Sequence, residues 1–410
     1  MLPLRPARRL LPSLAACLIG AVLAGPFAAA GGAPARPTAA TIGARAFADP
    51  SLSASGRLSC ASCHSPAHAH AAPPGSGVVP PGGAAGDTPG FRAAPSLRYL
   101  NVGLPFAFDA EGTPRGGFNR DGRAQTLLEQ AARPLLAPHE MANASPSAVV
   151  EKLRQAPYAD DFRRVYGADA LDDVDGAFYR LLFSIEQYET GAREFRPFDA
   201  KYDLFLRGQL RLSAQELRGL AWFVRPDKGN CAACHPATRG ADGSPPLFTD
   251  FSYDNLGVPR NAAIPATADP AYFDLGLCGP DRSDLTLRRE LCGAFKVPTL
   301  RNVATRSVFF HNGRYTTLRD ALRFYVRRDT NPEAFYPRDA DGTLRRFDDL
   351  PPDLIANVNT TEAPYDRRPG QAPALSDAEI DDVLAFLATL TDGYDPVTGR
   401  ADPARSLGHD

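Results

Sequence analysis

Cys60-Ala61-Ser62-Cys63-His64 and Cys231-Ala232-Ala233-Cys234-His235 are the two stretches on which the reading of this chain turns. Each sets two thiols three positions apart and follows them at once with an imidazole. Thiols at that spacing can form thioethers with both vinyl groups of a haem, and the adjacent histidine is placed to give its ring to the iron. A four-cysteine zinc site and a redox-active cysteine pair use the same Cys-x-x-Cys spacing. The histidine directly after both copies favours haem over either. On this reading Cys60, Cys63, Cys231 and Cys234 carry two covalently bound haem c groups, with His64 and His235 as axial iron ligands.

The start of the chain suits that chemistry. Arg5, Arg8 and Arg9 precede an apolar run from Leu10 to Ala30, broken by Pro12 and Pro26 and ending in Ala28-Ala29-Ala30. The pattern is that of an export signal over residues 1–30, too interrupted for a membrane anchor, and it predicts a periplasmic protein. Leu14-Ala15-Ala16-Cys17 resembles a lipoprotein box, but apolar sequence continues well past Cys17. Loss of residues 1–30 removes three arginines and no acid, taking the formal charge from −2 to −5. That balance excludes a nucleic-acid partner, and residues 31–410 contain no spanning segment. Cys278 and Cys292 lie outside the motifs, and an oxidising compartment favours their pairing over two free thiols; closing a loop of about 15 residues stabilises a fold by roughly 3 kcal/mol.

Composition sets the architecture. Hydrophobic residues are 44% and charged residues 22% of 410, enough for packed cores, while 39 prolines and 35 glycines favour loop-rich domains over long coiled coils. The motifs lie 171 residues apart. That separation suits one haem per domain, with an N-terminal haem domain over 41–209, a C-terminal one over 210–395, and the join near Gln209. Residues 66–96 are rich in proline, glycine and alanine and read as a long loop over the first haem. The periodic segments are helical: Ser145 caps 146–154, residues 172–188 bury an apolar face, and the boxes Ser213/Glu216 and Ser376/Glu379 open helices through Val224 and Leu390. The expected fold is mainly α, two cytochrome c-like haem domains with long loops and little strand.

Phe118-Asn119-Arg120-Asp121-Gly122-Arg123-Ala124, followed by Gln130, Pro134, Pro138, Glu140 and Met141, resembles the first domain of bacterial diheme cytochrome c peroxidases and of the diheme oxidase MauG. Phe295-Lys296-Val297-Pro298-Thr299-Leu300-Arg301-Asn302-Val303 with Phe310-His311-Asn312-Gly313 is similar to the second. The likeness runs from about Phe47 to Tyr394. It implies that Glu140 is the acid/base beside the first haem, that Gln130 is its polar partner, and that Pro134 and Pro138 stiffen the loop between them. It also implies a distal ligand to the second iron fourteen residues after His311, a methionine in the peroxidases and a tyrosine in MauG. That position is Tyr325.

Composition and periodicity agree with this placement. Beyond Met1 the only methionine is Met141, which the resemblance puts beside Glu140, so no more than one haem could be ligated by His and Met. Thr317 can cap a helix on which Leu318, Ala321, Leu322 and Tyr325 share an apolar face. A stripe at this spacing is ordinarily core, and the register match is what turns Tyr325 into a ligand; a phenolate would lower the potential of that haem. His68 and His70 follow His64 too closely to reach the opposite haem face, and Pro80 to Phe91, where some relatives carry a distal histidine, has none. The first iron is therefore expected open or water-bound, with no reductive activation needed.

Three departures from the family are visible. The tryptophan expected between the haems is Arg120, which cannot relay electrons by its own oxidation but can hold haem propionates and set potentials. The lone Trp222 reads as core packing. The positions matching the family's calcium ligands are Ala93, Arg306 and Val308, which makes calcium doubtful and suggests Arg306 as a partial replacement for the cation. Thr330 to Ala374 is a long polar insertion whose Asp339-Ala340-Asp341-Gly342 reads as a surface turn, since later calcium-loop ligands are missing. The resemblance implies a diheme c-type peroxidase reducing H2O2 at the N-terminal haem, with electrons supplied through the C-terminal haem by a small periplasmic donor, a cytochrome c or a cupredoxin. The alternatives are a MauG-like oxidase that modifies a partner protein and a non-catalytic diheme electron carrier.

Overall fold

Side-chain caps decide where the helices begin. A computed structural model describes residues 36–407. The leader expected over 1–30, with Cys17, lies outside the described residues. Thr38 and Thr41 form a reciprocal cap that opens α1 (Ala39–Ala48), and at the start of the short α2 (Cys60–Cys63) Ser62 Oγ accepts the Ser59 N–H at 3.0 Å. Thr126, Ser145 and Asp173 accept backbone N–H groups at the starts of α3 (Leu127–Leu136), α4 (Pro146–Gln155) and α6 (Val174–Gly191), with α5 (Ala159–Tyr166) between the last two. After α7 (Lys201–Leu206), the boxes Ser213/Glu216 and Ser376/Glu379 open α8 (Ala214–Val224) and α10 (Asp377–Ala388), and Thr317 caps α9 (Leu318–Arg327). Each cap satisfies donors that a helix start leaves orphaned. The C-terminal helix stops at Ala388, two residues short of the expected Leu390, because Thr389 caps it.

Among the described residues, strand is confined to four antiparallel pairs of two residues each: β1/β2 (Pro81–Gly82 with Thr88–Pro89), β3/β4 (Ala107–Phe108 with Pro114–Arg115), β5/β6 (Tyr253–Asp254 with Phe295–Lys296) and β7/β8 (Tyr394–Asp395 with Arg400–Ala401). The molecule is thus mainly α, with loops between short helices. No helix among the described residues is long and apolar enough to cross a membrane.

Among the described residues, two apolar cores are the largest. Ile42, Leu135, Val150, Phe162, Leu181 and Ile185 join α1, α3, α4, α5 and α6; Phe223, Phe248, Val326, Val383 and Phe386 join α8, α9 and α10. One glycine lets each core's main helix pair touch: a Cβ on Gly43 would stand 1.9 Å from the Ser184 carbonyl of α6, and one on Gly219 would stand 2.0 Å from the Asp382 carbonyl of α10. The stretch 330–374, expected to be a polar insertion, instead packs Tyr336, Phe347, Leu350 and Val358 around Phe324 of α9. Its aromatics are spaced too irregularly to show a period. Asp339 to Thr343 within it is a turn closed by the Asp341 carboxylate on the Thr343 N–H. Cys278 and Cys292 are joined by a disulfide.

Buried charge ties distant segments together. Asp392 accepts from Arg98 Nη1 at 2.8 Å, from the Tyr99 hydroxyl at 2.6 Å and from Asn302 Nδ2 at 2.6 Å, all of them buried. Arg301 in turn makes a two-pronged pair with Asp203 at 2.8 and 3.0 Å. Tyr99 and Asn302 both hold the left-handed conformation, with φ of 65° and 60°.

Candidate functional site: two adjoining cavities

The larger cavity, of about 310 Å3, is bounded by Cys231, Cys234 and His235 together with Tyr325. His235 Nδ1 lies 2.7 Å from the carbonyl oxygen of Phe248, which orients the ring. Burial lowers its proton affinity, so the neutral ring that an iron requires is favoured. Thr317 accepts the Asp320 N–H and fixes the register of α9, and Leu318, Ala321, Leu322 and Tyr325 line the cavity as one face. The Tyr325 ring lies 5.4 Å from Phe310 and 6.2 Å from Tyr365. Burial raises its phenol pKa, and Asp254 adds to the rise, so ionisation there needs a nearby cation.

A smaller cavity of about 170 Å3 is bounded by Cys60, Cys63 and His64, and by Gln130, Pro134, Glu140 and Met141. His64 Nδ1 stands 3.2 Å from the His70 carbonyl, and burial pushes the ring down to about 4. His70 thus braces the first histidine through its backbone, while its own buried ring lies against Phe195. Gln130 comes from α3. Pro134, expected in a loop, sits inside that helix. The chain then folds back on the helix end: Met141 N–H donates to Pro134 O at 2.9 Å and Ala142 N–H to Ala137 O at 3.1 Å. From the other side Gly83 N–H donates to Glu140 O at 2.7 Å. The Glu140 side chain is 40% exposed, reached through the cavity, yet burial on its remaining sides pushes its carboxyl up to about 7.

Several residues of this cavity carried no local sequence signal. His139 lines it with Nε2 3.7 Å from Glu140 Oε1, its ring packed 5.3 Å from Phe91. Arg92 pairs with both oxygens of Asp274 at 2.6 Å and with Asp121 at 2.6 Å; Arg123 pairs with Asp121 at 2.9 Å and Asp281 at 3.1 Å. These partners are up to 182 positions apart in the chain.

A degenerate internal repeat relates the two cavities. Phe118–Leu127 and Phe309–Leu318 share Phe, Gly, Arg, Thr and Leu at matching positions. Both close a bridge, Phe118 to Ala124 and Phe309 to Tyr315, and both turn on a left-handed residue, Asn119 at φ 66° and Phe310 at φ 67°. Both lead through a threonine cap into a ten-residue helix. In this register the counterpart of Tyr325 is Pro134, and that of His311 is Arg120. Where the larger cavity is offered a phenol, the smaller is offered a side chain with no donor atom.

Pro95, Leu97, Asn119, Arg120 and Gln130 line both cavities. Arg120 Nε donates to Ala93 O at 2.8 Å and an Nη of Arg306 donates to Ala94 O at 3.0 Å, so two guanidinium groups lie at and beside Ala93, one of the three positions matched to the family's calcium ligands. Trp222 sits at the edge of the second core, its indole N–H 3.3 Å from Asp382.

The residues present suit haem c better than the alternatives. The four thiols divide between two cavities, so no single four-cysteine metal site exists. Burial pushes Cys60, Cys231 and Cys234 up to about 12 and Cys63 to about 11, the reverse of the lowered values a redox-active pair requires. Apolar walls with one imidazole held at its Nδ1 beside two thiols are what a covalently attached porphyrin demands.

The Di-haem cytochrome c peroxidase family model matches residues 37–211. The methylamine utilization protein MauG of Paracoccus denitrificans is 35% identical over 372 residues, covering 89% of this chain and 91% of that protein. Cytochrome c551 peroxidase of Nitrosomonas europaea is 30% identical over 308 residues, covering 72% and 74%. Among solved structures, the diheme peroxidase BthA from Burkholderia thailandensis superposes with a TM-score of 0.79 at 39% identity over 89% of each chain.

Proposed function

The chain belongs to the di-haem cytochrome c peroxidase and MauG family, and on that premise we propose that it is a periplasmic diheme peroxidase acting on H2O2 at its smaller cavity. Two haem domains, 41–209 and 210–395, are part of this proposal; the family match, which ends at residue 211, supports the join, while the second apolar core already takes in Tyr202 of α7. Cys60, Cys63 and His64 would hold one haem, and Cys231, Cys234, His235 and Tyr325 the other. When bound, the first haem would supply a redox-active iron for peroxide reduction and the second would supply the electrons, taken from a cytochrome c or cupredoxin. Calcium would be dispensable, since the Asn side chain of the family's site is replaced by Ala93 and the Arg306 guanidinium, on Ala94 O, brings a positive charge beside it.

One observation carries the proposal: the two cavities are built alike but end differently. Pro134 stands where the other half has Tyr325, and Glu140, held near neutrality, lines only the cavity so left open. A carboxyl with a pKa near the working pH can take the proton from the inner oxygen of peroxide and return it to the outer, leaving one. Gln130 orients the substrate from α3, and His139 sits close enough to exchange a proton with Glu140 through one water.

Rapid mixing of the ferric protein with H2O2 tests this. The rate is expected to rise with pH through about 7 as Glu140 ionises, and Glu140→Gln should lose about 10²–10⁴-fold in rate together with that titration. An unreactive wild-type protein would instead mark an electron carrier. The likeness to MauG over 91% of its length supports a second reading, oxidation of a partner protein. Steady consumption of H2O2 with a reduced cytochrome c or cupredoxin separates the peroxidase from it.

A further inference from the structure

Three cations on the cavity walls have no carboxylate partner among the described residues. Arg120 uses only Nε, on Ala93 O; Arg306 uses one Nη, on Ala94 O; Lys296 donates to Gly117 O. The other cavity arginines are matched: Arg92 and Arg123 with Asp121, Arg98 with Asp392, Arg301 with Asp203. Asp274, the acid nearest in charge to Arg120, is already gripped on both oxygens by Arg92. Removing a guanidinium from water without an anion to pair with it is strongly unfavourable. Burial pulls Arg120 down to about 9 and Lys296 down to about 8, which expresses the same deficit. The missing negative charge must come from what fills the cavities.

We propose that Arg120 is a shared clamp for the propionates of both haems, with Arg306 and Lys296 completing the charge on the larger cavity. The inference rests on the diheme reading. Its argument is positional: Arg120 lines both cavities, its two Nη groups donate to nothing else, and Arg306 and Lys296 line the larger cavity alone. Haem brings two carboxylates, and a planar guanidinium fork is the donor that matches them. Anchored on Ala93 O, the fork stays fixed while its free edge serves the cofactors. The residue in the inter-haem position then acts as an electrostatic coupler: a positive charge beside both haems favours the reduced state of each.

Potentiometric titration of the purified holoprotein, followed optically, provides the test, preceded by a haem count on wild type and variants. Arg120→Gln should raise the oxidised-to-reduced ratio of both haems about tenfold at a given potential, a fall of about 59 mV in each one-electron midpoint. Arg120→Lys, which keeps the charge without the fork, should recover at least half of that fall. In Arg306→Gln the fall should be larger for the His235 haem. Midpoints unchanged in Arg120→Gln, or shifted for one haem alone, overturn the clamp. Should Arg120→Gln fail to incorporate haem, Arg306→Gln decides, and an unchanged His235 haem there counts against the proposal. A wild-type protein with fewer than two haems would instead defeat the diheme reading on which the inference stands.

Discussion

Tyr325 shows how little a single residue reveals by itself. On periodicity it belongs to an apolar stripe, and the structure does put it on the cavity face of α9 with Leu318, Ala321 and Leu322. Its proposed role came from a count of fourteen positions after His311. Low-temperature EPR of the ferric protein checks it: Tyr325→Met should replace the signal of the His235 haem with a His/Met one and raise its midpoint, since a phenolate favours ferric iron. Identical spectra for the two proteins would remove Tyr325 from the ligand set. His139 and Arg92 were illegible for a different reason. A histidine before a glutamate, or an arginine after a phenylalanine, has no local signature of a cavity, and Arg92 finds its partner Asp274 across 182 positions.

Helices announced themselves because caps are local chemistry. Ser145, Ser213, Thr317 and Ser376 each do at the chain level what they do in the structure, accepting a backbone N–H within three residues. The loops did not, because their shape depends on what they rest against. Gly82 is the clearest case: in β1 it lies on the turn carrying Glu140, the proposed acid/base, and a Cβ there would stand 2.1 Å from the His139 carbonyl and 2.8 Å from Glu140 Cα. Gly82→Ala must therefore push the 66–96 loop or the 137–142 turn aside. Overpacking of this kind costs about 1–3 kcal/mol, so the variant should melt lower and react more slowly with H2O2. Gly191→Ala is the control, since nothing lies within 4 Å of the added carbon and its backbone suits any residue. Equal melting temperatures for the two variants would show that the loop does not press on the turn.

At the scale of the molecule, the haem motifs made the mainly helical class legible, yet the duplication linking its halves stayed hidden. Five shared residues in ten, between Phe118–Leu127 and Phe309–Leu318, fall below what a single sequence displays; their common bridges and caps show the relation in three dimensions. A second echo, Pro95-Ser96-Leu97-Arg98 against Pro298-Thr299-Leu300-Arg301, places a buried arginine after each segment that lines the larger cavity. Asp392 ties the two together through Arg98, Tyr99 and Asn302. Burial with three partners makes it a fastening between residues about 90 and 294 positions away from it. Asp392→Ala leaves the Arg98 guanidinium buried and without its carboxylate, a loss of about 3–5 kcal/mol where such pairs are broken. Denaturant unfolding of the holoprotein, followed by haem absorbance and by far-ultraviolet dichroism, should show that loss in both signals at one shared midpoint. A fall below about 1 kcal/mol would mean that water replaces the carboxylate and that the halves are held by their cores alone.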